Sequence, residues 1–170
     1  MYKIFTGALV LLFAFVGCTS YFEKGYHPEV LEEKKIQATR KTQTIKNEAI
    51  DLVVLITYLN EIEYSYYDNL CYFFVEIYAP SQEPLNFKRL HIELSGDNKN
   101  TWHQARYMRL LSPKEYDRVL KPVNKWSNCY LVAFDKVNFT NVNSALVRLW
   151  IDEEEKFFDF SFEVIPFQML

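Results

Sequence analysis

Apolar and polar residues alternate with a period of two along most of the chain after residue 38, which predicts β-strands. The alternation is clearest from Phe87 to Leu94, from Ser144 to Asp152 and from Lys156 to Ile165. Further strands are predicted over residues 39–46, 49–59, 71–78, 102–111 and 128–134. The stretch from Asp152 to Glu155 lies between the last two strands and predicts that they form a hairpin.

Two short helices interrupt this pattern. Pro28 favours the first turn of a helix that runs to about Ala38, with several glutamates near its positive N-terminus. The segment Ser112–Glu115 has the residues of a capping box, with Pro at the first helical position. The second helix is expected to run from there to about Leu120 and to end before Pro122.

Sequential strands with short links predict a mainly β fold, namely an antiparallel β-sandwich (immunoglobulin-like) with one or two short helices. Several strands are apolar on one face only, as the packing of two layers requires. A barrel with an inner ligand cavity is the alternative. The antibody pattern is not met, because Trp102 follows Cys71 by 31 positions and Ser127, not Tyr, stands two positions before Cys129.

The first 18 residues have the layout of an export signal. Lys3 precedes an apolar run from Ile4 to Val16, which has the length of a signal-peptide core and is too short for a membrane span. The run closes with Phe15-Val16-Gly17-Cys18, which resembles the lipobox of bacterial lipoproteins, with Phe15 in place of the usual Leu. The resemblance implies cleavage before Cys18 and attachment of lipid, palmitate included, to that residue.

The lipobox resemblance also implies a location and a domain organisation. Residues 1–17 would be the signal peptide, residues 18–28 a tether and residues 29–170 one β-sandwich domain. Thr19 follows Cys18 where lipoproteins retained at the inner membrane have Asp, so the resemblance implies the outer membrane, with the domain facing the periplasm. An ordinary secretory signal and an uncleaved anchor are the alternatives.

Charge and glycine content limit the classes of function. The formal net charge of −3 gives no overall basis for binding nucleic acid or anionic lipid. The chain has four glycines, and Gly7 and Gly17 lie in the signal, so phosphate-binding loops, dinucleotide fingerprints and nucleophile elbows lack the residues that they need. We therefore expect no nucleic-acid partner and no cofactor.

Candidate chemistry is sparse in the rest of the chain. His27, His91 and His103 lie apart and have no second ligand at metal-binding spacing. Neither Cys71 nor Cys129 has a neighbouring His, which thiol catalysis would require. The sequence therefore predicts a non-enzymatic protein with no catalytic residue and no metal site.

Lipidation of Cys18 would leave Cys71 and Cys129 as an even pair of cysteines. In an oxidising periplasm such a pair is a candidate disulfide. Two buried thiols are the alternative, because Cys also behaves as a small hydrophobic residue.

Tyr64, Tyr66 and Tyr67 form the best candidate interaction loop, because the stretch joins two apolar strands and Tyr is favoured in protein contacts. Together with the anchor, this loop predicts a lipid-anchored protein that docks on another envelope component. A carrier that holds an apolar ligand in a barrel or between two sheets is the alternative.

Overall fold

The computed structural model describes residues 29–62, 70–81, 83–85, 88–96, 101–135 and 144–161. Within these ranges, helix α1 spans Val30–Gln37, and short 3-10 turns lie at Leu59–Glu61 and Pro113–Glu115. The strands are β1 (Thr39–Lys46), β2 (Ala49–Tyr58), β3 (Leu70–Tyr78), β4 (Leu90–Ser95), β5 (His103–Gln104), β6 (Tyr107–Leu110), β7 (Asn128–Asp135), β8 (Ser144–Ile151) and β9 (Glu154–Ser161).

The strands form two antiparallel sheets, as the alternation of the sequence predicts. The five-stranded sheet has the order β1-β2-β3-β7-β6, and the four-stranded sheet has the order β5-β4-β8-β9. Among the described strands all pairings are antiparallel, and neither sheet closes into a barrel. The predicted antiparallel β-sandwich is therefore confirmed.

The core lies between the two sheets and centres on aromatic rings. The ring of Phe73 on β3 has its centroid 5.0 Å from that of Tyr58, 5.7 Å from Phe134 and 5.6 Å from Phe160. Phe134 and Phe160 meet Phe73 edge to face, and such pairs are favourable beyond the area that they bury. Alternate residues of β2, β3, β4, β7, β8 and β9 complete the cluster, so side chains fill the space between the sheets.

The two sheets differ on their outer sides. Outward-facing residues of β3 and β7, such as Phe74 and Ala133, are also buried, which explains why these strands are apolar on both faces. On the four-stranded sheet most of the described outward-facing residues, such as Arg148 and Phe157, are half-buried or exposed. Among the described residues, the outer side is therefore covered more fully on the five-stranded sheet than on the four-stranded sheet.

The structure corrects two predicted elements. The strand expected over residues 102–111 is divided: β5 pairs with β4 in one sheet, and β6 pairs with β7 in the other. The helix expected from Pro113 to about Leu120 is only a 3-10 turn. Its capping box does form, but Asp117 Oδ1 then accepts the backbone N–H groups of Val119 and Leu120 at 2.7 Å each. A helix would need those donors, so the side chain of Asp117 competes with it.

The ends of the sandwich carry different connections. Arg40 of β1 donates to the Asp159 backbone, and Lys46 pairs with Glu154. The start of β1 therefore lies beside the end of β9, and the end of β1 lies beside the start of β9. One end holds the tight turns that link β1 to β2 and β8 to β9, the second of which contains Asp152. The links that follow β2, β4 and β7 leave from the other end.

The chain divides into two compact units, Met1–Glu33 and Lys34–Leu170, and all of the strands belong to the second. Among the described residues, no helix combines the length and the apolar composition that a membrane crossing needs.

Candidate functional site

The solvent side of the four-stranded sheet carries a stack of aromatic rings around one arginine. The guanidinium carbon of Arg148 on β8 lies 3.9 Å from the ring centroid of Trp102 and 4.2 Å from that of Trp150. Phe157 of β9 lies opposite Arg148, and its ring centroid is 6.4 Å from that of Trp102. We call the surface formed by Trp102, Arg148, Trp150 and Phe157 the aromatic face.

Carboxylates hold the arginine of the aromatic face in place. Glu93 of β4 lies directly across from Arg148, and its Oε2 accepts a hydrogen bond of 2.5 Å from Arg148 Nη2. On the other side, Glu155 Oε1 is 3.6 Å from Arg148 Nε. The guanidinium is therefore fixed between two rings by ion pairs, and cations over aromatic rings are attracted to them. The rings of the aromatic face are in turn held in a defined arrangement.

The aromatic face has the composition of a protein-binding surface. Phe157 is 52% exposed, which is unusual for a phenylalanine on a rigid strand. Trp and Arg are the residues that most often dominate binding energies between proteins. Among the described residues of β4, β8 and β9, Glu93, Glu155 and Asp159 share this side of the sheet with one cation, that of Arg148, so this part of the surface is acidic.

A second surface lies on the outer side of the five-stranded sheet, where residues 111–127 form a strap. Leu111, Val119 and Leu120 of the strap are buried. Toward its end the strap exposes Val123 and Trp126 instead. We call residues 121–126 the strap tip.

A buried carboxylate of the sheet holds the strap tip. Glu76 of β3 is only 1% exposed, and its Oε2 accepts the backbone N–H of Val123 at 2.7 Å. The backbone N–H of Asn124 also bonds this carboxylate. Glu76 Oε1 has no hydrogen-bond partner among the described residues. Burial raises the pKa of Glu76, while the Val123 bond and the charge of Lys35 act in the opposite direction.

The other polar groups near Glu76 also serve to hold the strap. Lys35 Nζ donates a 2.5 Å hydrogen bond to the Lys121 carbonyl, and burial lowers the pKa of Lys35. Burial raises the pKa of Cys129 to about 11, although a hydrogen bond with Tyr116 lowers it. A thiol with this pKa is protonated at neutral pH and is therefore a weak nucleophile.

The candidate disulfide between Cys71 and Cys129 is not formed, and the structure corrects this prediction. Cys71 lies opposite Phe134, whereas Cys129 lies opposite Glu76, so the two cysteines are five positions apart along adjacent strands. That offset is about 17 Å at the rise of a β-strand, and a disulfide needs Cα atoms within about 7 Å. Cys71 also faces the inner core, whereas Cys129 faces the strap. Both side chains are buried, as in the alternative that the sequence left open.

The remaining residues singled out in the sequence, Cys18, Tyr64, Tyr66 and Tyr67, lie outside the described residues. The strand ends that flank the tyrosine stretch are described. Asn60 Oδ1 accepts the Tyr72 backbone N–H at 2.7 Å, and Asn60 Nδ2 donates to the Leu70 carbonyl at 2.9 Å. This side chain therefore fixes the end of β2 beside the start of β3.

Two clefts open at the margins of the sandwich. The larger, of ≈ 670 Å³, lies at the end with the tight turns, and most of the charged groups that line it are paired with each other. There, Lys46 contacts Asp51 at 2.9 Å and Glu154 at 3.0 Å, and Arg89 binds Asp152 through two hydrogen bonds, whereas Glu153 of the lining takes part in none of these pairs. The smaller, of ≈ 470 Å³, lies between β4 and β6 and is lined by Leu90, His91, Ile92, Glu93, Gln104, Ala105, Tyr107 and Met108. Within the described parts of the chain, no cluster of three or more His, Cys, Asp or Glu side chains is placed to bind a metal.

Comparison with known proteins finds no matching family model, no similar curated protein and no similar solved structure.

Sequence reasoning missed the two surfaces, although each left a signal. Glu76 is the only charged residue in the apolar strand Leu70–Tyr78, and a lone acid in such a strand must be paired or neutralised when it is buried. Arg148 and Trp150 are two positions apart on β8 and therefore lie on the same, solvent-facing side of the strand, but Trp102 is distant in sequence. Only the pairing of β5 with β4 and of β4 with β8 shows that these three residues meet.

Proposed function

We propose that this chain is a lipid-anchored, non-enzymatic protein of the cell envelope, whose β-sandwich docks on another envelope protein through the aromatic face. The lipobox resemblance of residues 15–18 supports the anchor, and Thr19 after Cys18 supports a position at the outer membrane facing the periplasm. The docking role rests on one observation, the Trp102–Arg148–Trp150 stack beside an exposed Phe157.

Rigidity supports the aromatic face as a docking surface. The rings of Trp150 and Phe157 stand on paired strands, Trp102 directly precedes β5, and the ion pair between Arg148 and Glu93 fixes the central side chain. A surface that is already ordered loses less conformational entropy on binding than a loop does. The aromatic face can therefore contribute binding energy without first being ordered.

The composition of the aromatic face indicates the chemistry of the partner. Phe157 offers an apolar contact, and the carboxylates of Glu155 and Asp159 lie on the same side of β9. A complementary protein surface would place an apolar side chain against Phe157 and basic side chains near the two carboxylates. Docking is favoured over the carriage of an apolar ligand because aromatic side chains such as Phe73 fill the space between the sheets.

Site-specific photo-crosslinking in the host tests this proposal. A photoreactive amino acid at position 157 of the full chain should give a discrete crosslinked protein band. The same probe at Gln43, an exposed position on the edge strand β1, is the matched control and should not give that band. Glu155→Lys should weaken the crosslink at position 157 at least tenfold. Equal crosslinking at both positions, or the absence of protein adducts at position 157, would overturn the docking role.

A further inference from the structure

The strap tip exposes two apolar side chains beside two lysines. Val123 is 75% exposed and Trp126 is 55% exposed, and Lys121 and Lys125 are exposed as well. The tip sequence Lys-Pro-Val-Asn-Lys-Trp contains no carboxylate, whereas the whole chain has a net charge of −3. Although the chain as a whole is acidic, the surface of the strap tip is therefore basic and apolar.

The backbone of the strap tip is held from several sides. Glu76 binds the Val123 N–H from inside the sheet, and Asn124 Oδ1 accepts the Trp126 N–H at 3.0 Å. The Asn124 carbonyl also accepts the Ser127 N–H at 2.9 Å. A buried carboxylate is costly unless its hydrogen bonds compensate for lost hydration. The hydrogen bonds that Glu76 accepts come from backbone N–H groups of this tip. The fold therefore fixes a loop whose largest apolar side chains face water.

Among the described residues, no carboxylate forms an ion pair with Lys121 or Lys125. Asp117 is engaged with the backbone N–H groups of Val119 and Leu120, and Glu115 pairs with Arg109. Lys125 Nζ lies 4.9 Å from the ring centroid of Trp126, so a cation and an aromatic ring occupy the same part of the surface.

We infer that the strap tip contacts the surface of an anionic phospholipid bilayer. Trp is favoured at the boundary between water and hydrocarbon because its ring is amphipathic. Val123 adds apolar area, and lysines can keep their ammonium groups among anionic headgroups while their stems contact apolar surface. The charge of Lys121 and Lys125 thus matches the lipid headgroups, and the exposed Val123 and Trp126 match the layer beneath them.

This inference goes beyond the proposed docking and uses a different sheet. Its relevance in the cell rests on the proposed anchor. A tether of residues 18–28 would extend over no more than about 40 Å and would keep the domain near the bilayer. A domain held so close to the bilayer experiences a high effective concentration of lipid, so a weak second contact is sufficient. Contact through the strap would leave the aromatic face on the other sheet available to a protein.

Fluorescence at a single position tests the membrane contact. The full chain carries Cys18→Ser and Val123→Cys, and an environment-sensitive dye is attached at position 123 because Cys71 and Cys129 are buried. The matched control carries the dye through Ile45→Cys, since Ile45 is also apolar and is 59% exposed on β1. Both proteins are bound to vesicles of phosphatidylglycerol and phosphatidylethanolamine and are isolated by flotation.

The dye at position 123 should shift to the blue and be quenched by spin-labelled lipid, whereas the dye at position 45 should remain in water. Lys121→Gln and Lys125→Gln should each lower the ratio of inserted to water-exposed dye about fivefold. Phosphatidylcholine vesicles should give a much smaller shift. A dye at position 123 that stays in water on vesicle-bound protein, or that responds like the dye at position 45, would overturn the inference. A response that requires added envelope proteins would also overturn it, because the partner would then be a protein; failure of the docking proposal is read separately at position 157.

Discussion

The backbone N–H of Val123 donates a 2.7 Å hydrogen bond to Glu76 Oε2, which ties the strap tip to the interior of the five-stranded sheet. The acceptor belongs to a carboxylate that is buried almost completely, whereas the side chain of Val123 is exposed. The carboxyl group of Glu76 therefore links the stability of the folded protein to the position of the exposed Val123 side chain.

The first prediction concerns pH and Glu76. Burial raises the pKa of this carboxyl above its unfolded value, so the associated stability is present below the unfolded pKa and is lost as pH rises through the folded pKa. Glu76→Gln keeps an acceptor for Val123 and removes the titration. From acidic to mildly alkaline pH, the free energy of unfolding should therefore fall less steeply in this variant than in the parent.

Urea denaturation across that pH range measures this difference. Glu153→Gln, at an exposed turn position, serves as the control and should follow the parent curve. Parallel curves for Glu76→Gln and the parent would contradict the prediction.

The second prediction concerns Asn60, which bonds both the Tyr72 N–H and the Leu70 carbonyl. Asn60→Ala should lower the free energy of unfolding by about 1–3 kcal/mol, because it leaves polar backbone groups without these partners at a buried site. Gln43→Ala, on the exposed edge strand, should change it by less than about 0.5 kcal/mol. Chemical denaturation of the parent, Asn60→Ala and Gln43→Ala measures these changes. Equal denaturation midpoints for the parent and Asn60→Ala would refute the role of Asn60.

The third prediction concerns the turn between β1 and β2. Asn47 and Glu48 have φ values of 50° and 62°, which lie in the left-handed region. Asn tolerates this region, whereas Glu pays a steric penalty there. Glu48→Gly should therefore raise the free energy of unfolding by about 0.5–1 kcal/mol. The matched control is Glu153→Gly, at a turn position without a positive φ, which should give no gain; a gain of the same size there would indicate a different cause.

The fourth prediction concerns the two buried thiols. In the folded protein, Cys71 and Cys129 should resist alkylation, because both are buried and the pKa of Cys129 is raised to about 11. In denaturant without a reductant, mass spectrometry should show both residues alkylated. Protection that persists in denaturant until a reductant is added would show that a disulfide exists after all.

The fifth prediction concerns the anchor. Palmitate supplied to the host should label the parent chain, and Cys18→Ala should abolish the label and leave unprocessed precursor. Cys71→Ala is the matched control and should be labelled like the parent. Normal processing and membrane retention of Cys18→Ala would refute the lipobox interpretation.

The sequence predicted those parts of the fold that depend on alternation within one strand. The predicted limits of β1 are those observed, and β8 ends one residue before its predicted limit, because each strand has one consistent pattern of inward and outward residues. The chain near Ala105 was not predicted correctly, because alternation continues while the chain passes from one sheet to the other. The helix predicted after Ser112 was also wrong. Its capping box forms, but the Asp117 side chain then accepts hydrogen bonds from two backbone N–H groups that the helix would need.

The candidate surfaces were harder to predict because they depend on pairing between distant strands. Glu76 is identifiable as an isolated acid, but the identity of its donor, Val123, depends on the course of the strap. Trp102 and Trp150 are 48 positions apart and meet at Arg148 only because β4 lies between β5 and β8. No local pattern contains that information.

The order of the strands also has a consequence for the timing of folding. β3 pairs with β7 and β4 pairs with β8, so each sheet pairs residues that lie more than 50 positions apart in the sequence. Pairings between such distant segments form slowly, because a large loop must close before any contact is gained. Neither sheet can be completed until synthesis has passed β7 or β8, so most of the chain emerges from the ribosome before either layer can close. The topology of the sandwich therefore leaves the new chain without its complete core until most of the residues have been synthesised.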